Sequence, residues 1–290
     1  MKLTNRTKGI VFIIISAFGF AMMSTFVKLS GDLPAFQKTF FRNIVSVVVS
    51  FAIIIKHKEK FLGKRENQWI LILRATFGTI GIVLNFYSID RLVLSDANML
   101  NKLSPFFVII FSALFLSEKI NLKQIISLII AFLGALFIIK PSFNLEVIPS
   151  LAGLLGAIAA GAAYTCVRAL GSREKHYTVV FYFSLFSTIA VLPFTIIVYK
   201  HMSGLQLIYL LLAGVFASIG QFGITLAYKY AKAKEISIFD YTNILFAAVI
   251  SIFVFNIFPD KYSFIGYIII FLSAFYMFLY NKKLDKLQEK

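Results

Sequence analysis

The chain has 290 residues; 59% are hydrophobic, 14% are charged and the mean hydropathy is +0.86. Soluble domains run at about 45–50% apolar and about 25% charged residues, so neither one soluble core nor a disordered chain fits this composition. The net charge of +16 follows from where the basic residues fall and needs no nucleic acid, while the lone Cys166 excludes an internal disulfide framework or a cysteine-based zinc cluster.

Apolar stretches of roughly 20 residues, the length of a helix crossing a bilayer, follow one another along the chain. The first, at 9–29, follows a basic start (Lys2, Arg6, Lys8) and is too long for a signal-peptide core, so it reads as a retained span. A Gly31-Asp32-Leu33-Pro34 turn leads to a second span at 36–55, and the charged segment 56–67 leads to a third at 68–88. A fourth at 93–116 follows so closely that the two form an antiparallel hairpin. A fifth at 122–140 precedes a helix-breaking segment at 144–149. The remaining five fall at 150–170, 178–199, 206–228, 236–257 and 262–281, the last two joined through Phe258-Pro259-Asp260. The sequence thus predicts an all-α membrane protein with ten transmembrane helices.

Basic residues set the orientation. With the N-terminus inside, the inner tails and loops hold 19 of them and the outer loops hold 4: Arg91, Lys140, Lys200 and Lys261. That imbalance is a strong positive-inside signal and places both termini in the cytoplasm of a multi-pass protein of the cell membrane.

The halves repeat at an offset of about 140 residues. Ala17 to Lys28 reads AFGFAMMSTFVK and Ala157 to Arg168 reads AIAAGAAYTCVR; Asp96 matches Glu235, and Asn101 matches Asp240. The predicted units are 1–143 and 144–290. Five spans per unit is an odd number, so the second unit enters the membrane from the opposite side and the halves are inverted copies. Such a chain has two related packings, one open to each side, which is what alternating access requires.

The Lys28 helix end, Pro34, Arg42, the run Asn98 to Pro105 (NMLNKLSP), Leu116-Ser117-Glu118 and Gly134 stand in the order and spacing of a known family. With ten spans and short loops, the chain resembles the EamA-type branch of the drug/metabolite transporter superfamily over nearly its whole length. The second half departs from that pattern: Ile244 and Ile257 stand where Pro105 and Glu118 would recur. The resemblance implies a carrier of small molecules.

Six basic residues fall inside spans: Lys28, Lys38, Arg42, Arg74, Lys102 and Arg168. Lys28 and Arg168 lie at helix ends and are expected to snorkel to the headgroups, and Lys38, in the first turn of its span, is placed to do the same. Arg42 and Lys102 lie roughly 9–14 Å deep and Arg74 roughly 9 Å deep, at about 1.5 Å per residue. Each central charge costs about 2.5–3.5 kcal/mol on insertion scales, so these three are expected to face a wet cavity or a partner. They outnumber the obvious carboxylates, of which Asp240 is the deepest. Surplus positive charge favours an anionic or zwitterionic substrate, with Arg42 and Lys102 on opposite walls.

The expected substrate-binding set is therefore Arg42, Lys102, Arg74, Lys38, Asn98, Asn101, Tyr87, Asn85, Tyr164, Gln221 and Asn243. Lys38, Arg42, Ser46 and Ser50 share one side of the second span. Pro105 frees the carbonyl of Asn101 for a ligand or a water. Asp240 is the candidate for coupling transport to a proton, with a counter-anion as the other possible driver. Gly153, Gly156, Gly161, Gly78, Gly81 and Gly214 are expected to let helices approach closely. The sequence contains no metalloprotease, serine-hydrolase or phosphate-loop motif and no Cys/His metal spacing, so neither an enzyme, a cofactor nor a metal is expected. A secondary carrier of a small organic metabolite, monomeric or homodimeric, is the leading expectation; a lipid or lipid-precursor flippase is the alternative on the same architecture, with a membrane-embedded enzyme or a channel behind it.

Overall fold

The computed structural model describes residues 5–117, 121–140, 147–171, 173–230 and 237–288. Glu118 of the LSE run and Glu235, the repeat partner of Asp96, lie outside them. Eleven helices are described: α1 (Asn5–Leu29), α2 (Ala35–His57), α3 (Gln68–Arg91), α4 (Leu94–Asn101), α5 (Ser104–Leu116), α6 (Leu122–Ile139), α7 (Ile148–Leu170), α8 (His176–Ile197), α9 (Gly204–Tyr230), α10 (Thr242–Phe255) and α11 (Lys261–Gln288). Taking α4 and α5 as one crossing, nine helical stretches among the described residues are long and apolar enough to span a membrane, and a shorter tenth covers Phe239–Phe255.

Two spans differ from the continuous helices expected. The fourth breaks at Lys102 and Leu103, between α4 and α5. Pro105 lies in the first turn of α5, where its missing N–H is tolerated, whereas its ring would obstruct a continuous helix one turn earlier. The ninth begins as a 3-10 turn, Ser237–Tyr241, that runs into the 14 residues of α10. At about 1.5 Å per α residue and about 2.0 Å per 3-10 residue the pair rises about 31 Å, enough for a hydrocarbon core about 30 Å thick. The breaks at Lys102 and Tyr241 are repeat equivalents, as are the left-handed caps Ser117 (φ 56°) and Asn256 (φ 53°) that end these crossings.

Helix pairing displays the inverted repeat directly. α1 lies along α9, and its equivalent α7 lies along α3. α2 meets α9 as α8 meets α3, while the equivalents α2 and α8, and α6 and α11, pack on each other. Glycines make these crossings possible. A Cβ on Gly19 would lie 2.8 Å from the Gly220 amide nitrogen, and one on Gly266 would lie 2.7 Å from the Gly134 carbonyl. The small-residue face of α7 serves the same end: Gly156 is in backbone contact with Gly81, and Gly161 with the Ser104 carbonyl.

Large apolar side chains cover the outside, among them Phe253 (82% exposed), Ile197 (79%) and Phe115 (74%), the surface that acyl chains cover. The connecting segments fall into two sets, each with its own contacts. Lys200 pairs with Asp32, Gln206 with Ser30 and Lys140 with Asp260. On the other side Glu174 accepts from Lys64 and Asn67, and Glu59 accepts from Tyr177. These are the two sides that alternate along a ten-span chain.

Candidate functional site

Lys38 is fully buried, so it does not snorkel. Its ammonium is 2.5 Å from Asp90 Oδ1 and donates to the carbonyls of Val27 (3.2 Å) and Gly31 (2.6 Å). Lys28 also turns inward, donating to the carbonyls of Ile89 (3.0 Å) and Leu92. Two lysines thereby fasten α1 and α2 to the α3–α4 hairpin, and every acceptor of Lys38 is internal. The structure engages Lys38 in this fastening and does not bring it to the deep cations. Asp90, the group that neutralises it, is hidden in the sequence by its place in a short hairpin beside Arg91. Arg168 is exposed at the end of α7.

Deeper in the bundle lie Arg42 on α2 and Arg74 on α3, 3% and 5% exposed. Among the described residues, no carboxylate forms a salt bridge with either. Arg42 donates to Asn43 Oδ1 at 2.5 Å, and Asn43 in turn donates to Ser187 on α8 at 2.7 Å. The Arg74 guanidinium lies 3.9 Å from the centre of the Phe183 ring, a cation–π contact worth about 2 kcal/mol once desolvated. Gly78 makes that position possible: a Cβ there would be 2.3 Å from an Arg74 nitrogen and 2.8 Å from the ring. Arg42 Nε and Arg74 Nε and Nη1 are buried without hydrogen-bond partners. The two guanidiniums lie within electrostatic reach of each other.

Lys102 stands apart from that pair in its bonding. Its ammonium is 2.5 Å from Asp240 Oδ2, and its backbone carbonyl accepts from the Tyr241 hydroxyl at 3.3 Å. The two broken spans are thus tied to each other at their breaks. The helix break at Pro105 was expected to offer the Asn101 carbonyl; the carbonyl held by a side chain is that of Lys102. The second oxygen of Asp240 is buried and unpartnered. Tyr164 on α7 is 41% exposed, yet its hydroxyl is within electrostatic reach of Arg42, Arg74 and Asp240, which come from three other crossings.

The other expected residues divide. Asn243 donates to the Ala17 carbonyl at 2.9 Å, and Asn98 accepts from Ser24 and donates to the Leu94 carbonyl at 2.8 Å, so both join α1 to a broken span. Asn85 is buried at the α3–α7 crossing with an unpartnered Oδ1, and Tyr87 lies beneath the Arg91 guanidinium at 3.9 Å. Asn101 and Gln221 are half-buried. A cluster that sequence reading missed joins α4 to α11: the Tyr267 hydroxyl donates to Asp96 and shares a 2.8 Å hydrogen bond with Ser95. Among the described residues, no group of three or more His, Cys, Asp and Glu could hold a metal.

Inverted five-helix units enclosing buried cations define a multi-pass membrane protein of the transporter type. The chain matches the EamA-like transporter family twice, over residues 7–140 and 148–279, and belongs to that family. It is 31% identical over 277 residues to the pseudopaline exporter CntI of Pseudomonas aeruginosa (strain UCBPP-PA14), covering 94% of this chain and 97% of that protein. It is 26% identical to solute carrier family 35 member G1 of Mus musculus, over 92% of this chain and 77% of that one. It is 24% identical to the S-adenosylmethionine uptake transporter of Rickettsia felis, over 88% and 86%. A solved crystal structure shares the fold with a TM-score of 0.69 at 14% identity, covering 95% of this chain and 98% of that one.

Proposed function

We propose that this protein is a secondary transporter of the cell membrane. In this reading it carries a small anionic or zwitterionic organic metabolite by alternating access, with both termini in the cytoplasm. The observation that carries the proposal is the pair Arg42 and Arg74, both buried, with unpartnered guanidinium nitrogens and no carboxylate bridge among the described residues. A structural clamp would give each cation an anion, as Asp90 does for Lys38. A site that waits for a carboxylate or phosphate leaves the guanidiniums open, and their planar fork suits either group. The similarity to carriers named for export and for uptake agrees with transport and leaves the direction to the driving force. An anion accumulated against an inside-negative potential needs a co-transported cation, a proton being the one expected here, or an exchanged anion.

The test uses a signature that separates binding from structure. Replacing a buried, unpaired cation by an apolar side chain of similar volume relieves its desolvation cost, so Arg42→Met and Arg74→Met should melt near or above the parent temperature. Both should lose the stabilisation that small carboxylates or phosphates give the parent by mass action, and both should lose transport in proteoliposomes. If either variant melts far below the parent, that arginine holds helices together and the proposal fails.

A further inference from the structure

We infer that Asp96, with the hydroxyls of Tyr267 and Ser95, is a reversible proton-binding site between the two units, and that the proton accompanying transport binds there. The second clause rests on the transport reading above; the first stands without it.

Among the described residues, three carboxylates in spans are buried or half-buried: Asp90, Asp96 and Asp240. Asp90 has the Lys38 ammonium at 2.5 Å, and Asp240 has that of Lys102 at 2.5 Å. Asp96 is 6% exposed, and no described cation forms a salt bridge with it. The charges around it are committed elsewhere. On α1, Lys28 donates to the Ile89 and Leu92 carbonyls. At the end of α3, Asp90 holds Lys38 and Arg91 lies over the Tyr87 ring. Past the end of α6, Lys140 pairs with Asp260, and Lys261 lies over Tyr262. α10 carries no charged residue, and the titratable groups of α7 (Tyr164, Cys166 and Arg168) lie in the half of that helix away from Gly153, which meets Leu100 of α4. A buried carboxylate without a counter-charge is costly, and a proton removes that cost. Asp96 also lies in the first turn of α4, where the helix dipole favours the anion. Burial and helix end oppose each other, which suits a group that both takes up and releases a proton.

The hydrogen bonds serve both states. The Tyr267 hydroxyl reaches Asp96 Oδ1 and, at 2.8 Å, Ser95 Oγ, yet a phenol has one hydrogen to give. With Asp96 ionised, Ser95 donates to Tyr267 and Tyr267 donates to the carboxylate. On proton uptake from water an O–H bond forms on Asp96, the carboxyl donates to Tyr267, and Tyr267 turns its hydrogen to Ser95. Release reverses these steps and returns the proton to water. The same three oxygens therefore hold either number of protons without losing a contact. Ser263, one turn before Tyr267 on the same side of α11, adds a buried hydroxyl that has no partner.

The position connects the site to the transport cycle. α4 belongs to the first matched unit and α11 to the second, so the proton bears on a contact between the units whose packings alternating access exchanges. α4 is eight residues long. Asp96 precedes Lys102 by about 9 Å along the chain's helical rise, so one short helix carries the proton site near one end and the ionic tie to Asp240 at the other.

Infrared difference spectroscopy of the purified protein, stepped between pH 5 and pH 9, reads the proton directly. The parent should show the carbonyl band of one buried, protonated carboxyl, shifted in D2O and lost as pH rises. Asp96→Asn should lack it. In Tyr267→Phe the band should move in frequency and the proton should bind about tenfold more tightly, because the bond lost from the charged carboxylate is the stronger one. No titrating band in the parent, a band that persists in Asp96→Asn, or one unmoved by Tyr267→Phe overturns the site. The parent and Tyr267→Phe decide the matter even where Asp96→Asn folds poorly. Coupling is read by calorimetry at the midpoint of that titration, with inorganic phosphate and small carboxylates in two buffers of different ionisation enthalpy. An anion that binds the parent should bring part of a proton with it, and Asp96→Asn should bind the same anion with none. Binding to the parent without proton uptake overturns the coupling and leaves the site. If no anion binds, the arginine reading fails and the coupling with it, while the infrared band still decides the proton site.

Discussion

The buried pair Lys38–Asp90 gives a suppressor experiment. In Lys38→Met the Asp90 carboxylate keeps its burial and loses its counter-charge, and the Val27 and Gly31 carbonyls lose their donor. Breaking a buried pair by removing one member costs about 3–5 kcal/mol. At about 2–4 °C per kcal/mol for a chain of this size class, the melting temperature should fall by on the order of 10 °C. Asp90→Asn leaves Lys38 three oxygen acceptors, one of them now neutral, and should cost less, about 1–3 kcal/mol. The double variant holds no charge at positions 38 and 90, and the amide that replaces the Asp90 carboxylate carries donors for the carbonyls that Lys38 served. It should therefore be more stable than Lys38→Met alone. Thermal unfolding followed by a thiol-reactive fluorophore at Cys166, half-buried and the single cysteine, measures all four proteins. A double variant at or below the stability of Lys38→Met would refute the pairing argument.

Gly161→Ala sets a methyl group 2.4 Å from the Phe107 Cβ and 3.1 Å from the Ser104 carbonyl; it should cost about 1–3 kcal/mol, read as a lower melting temperature, and a variant as stable as the parent would contradict the packing at the Lys102 break. Gly78→Ala should displace the Arg74 guanidinium from its cation–π contact, costing up to about 2 kcal/mol of stability and weakening anion binding roughly tenfold; thermal unfolding reads the first and calorimetry the second, and a variant that binds anions like the parent would contradict the placement of Arg74. In a Cys166-free background, an impermeant thiol reagent outside the cell should label Asp260→Cys and spare Lys60→Cys, and the reverse pattern would invert the topology. Finally, the hydrogen bond from Lys200, together with its charge, holds the exposed Asp32 carboxyl below the ordinary 3.8. A depressed pKa stabilises above the unfolded value and stops doing so as pH falls through the folded one, so Asp32→Asn should alter the pH dependence of melting only below about pH 4 and leave it unchanged from pH 5 to 8.

Most of the fold was legible because its signals are long. A hydrophobic stretch of about 20 residues is read without knowing its neighbours, and the offset of about 140 residues needs only two segments of one chain to be compared. The inversion followed from an odd number of spans. What stayed hidden was local backbone geometry. Pro105 announced a freed carbonyl, yet whether the span kinks or divides depends on what receives the open ends, and that is Tyr241 on another crossing. The ninth span carries no proline at the equivalent place, so nothing in its own sequence marks the 3-10 turn at Ser237–Tyr241.

The site was legible in its composition and not in its pairing. Depth alone identified Arg42, Arg74 and Lys102 as cations that must be accommodated, because depth is a property of position along a single helix. Which of them carries the surplus depends on rotation about each helix axis and on which side chains converge. Lys102 and Asp240 are 138 residues apart and meet only through the contact of two breaks. Arg42 is within electrostatic reach of Arg74, whose guanidinium is set by a glycine and a phenylalanine from two helices. Nearness to the membrane surface predicts snorkelling for a lysine with water in reach, which the buried Lys38 lacks. Asp90 and two carbonyls offered a nearer set of acceptors, and a buried ammonium with three oxygens has no reason to extend to the headgroups. What a single helix fixes, such as the depth of a cation, is readable in the sequence; what another helix supplies, as Asp90 does for Lys38, is not.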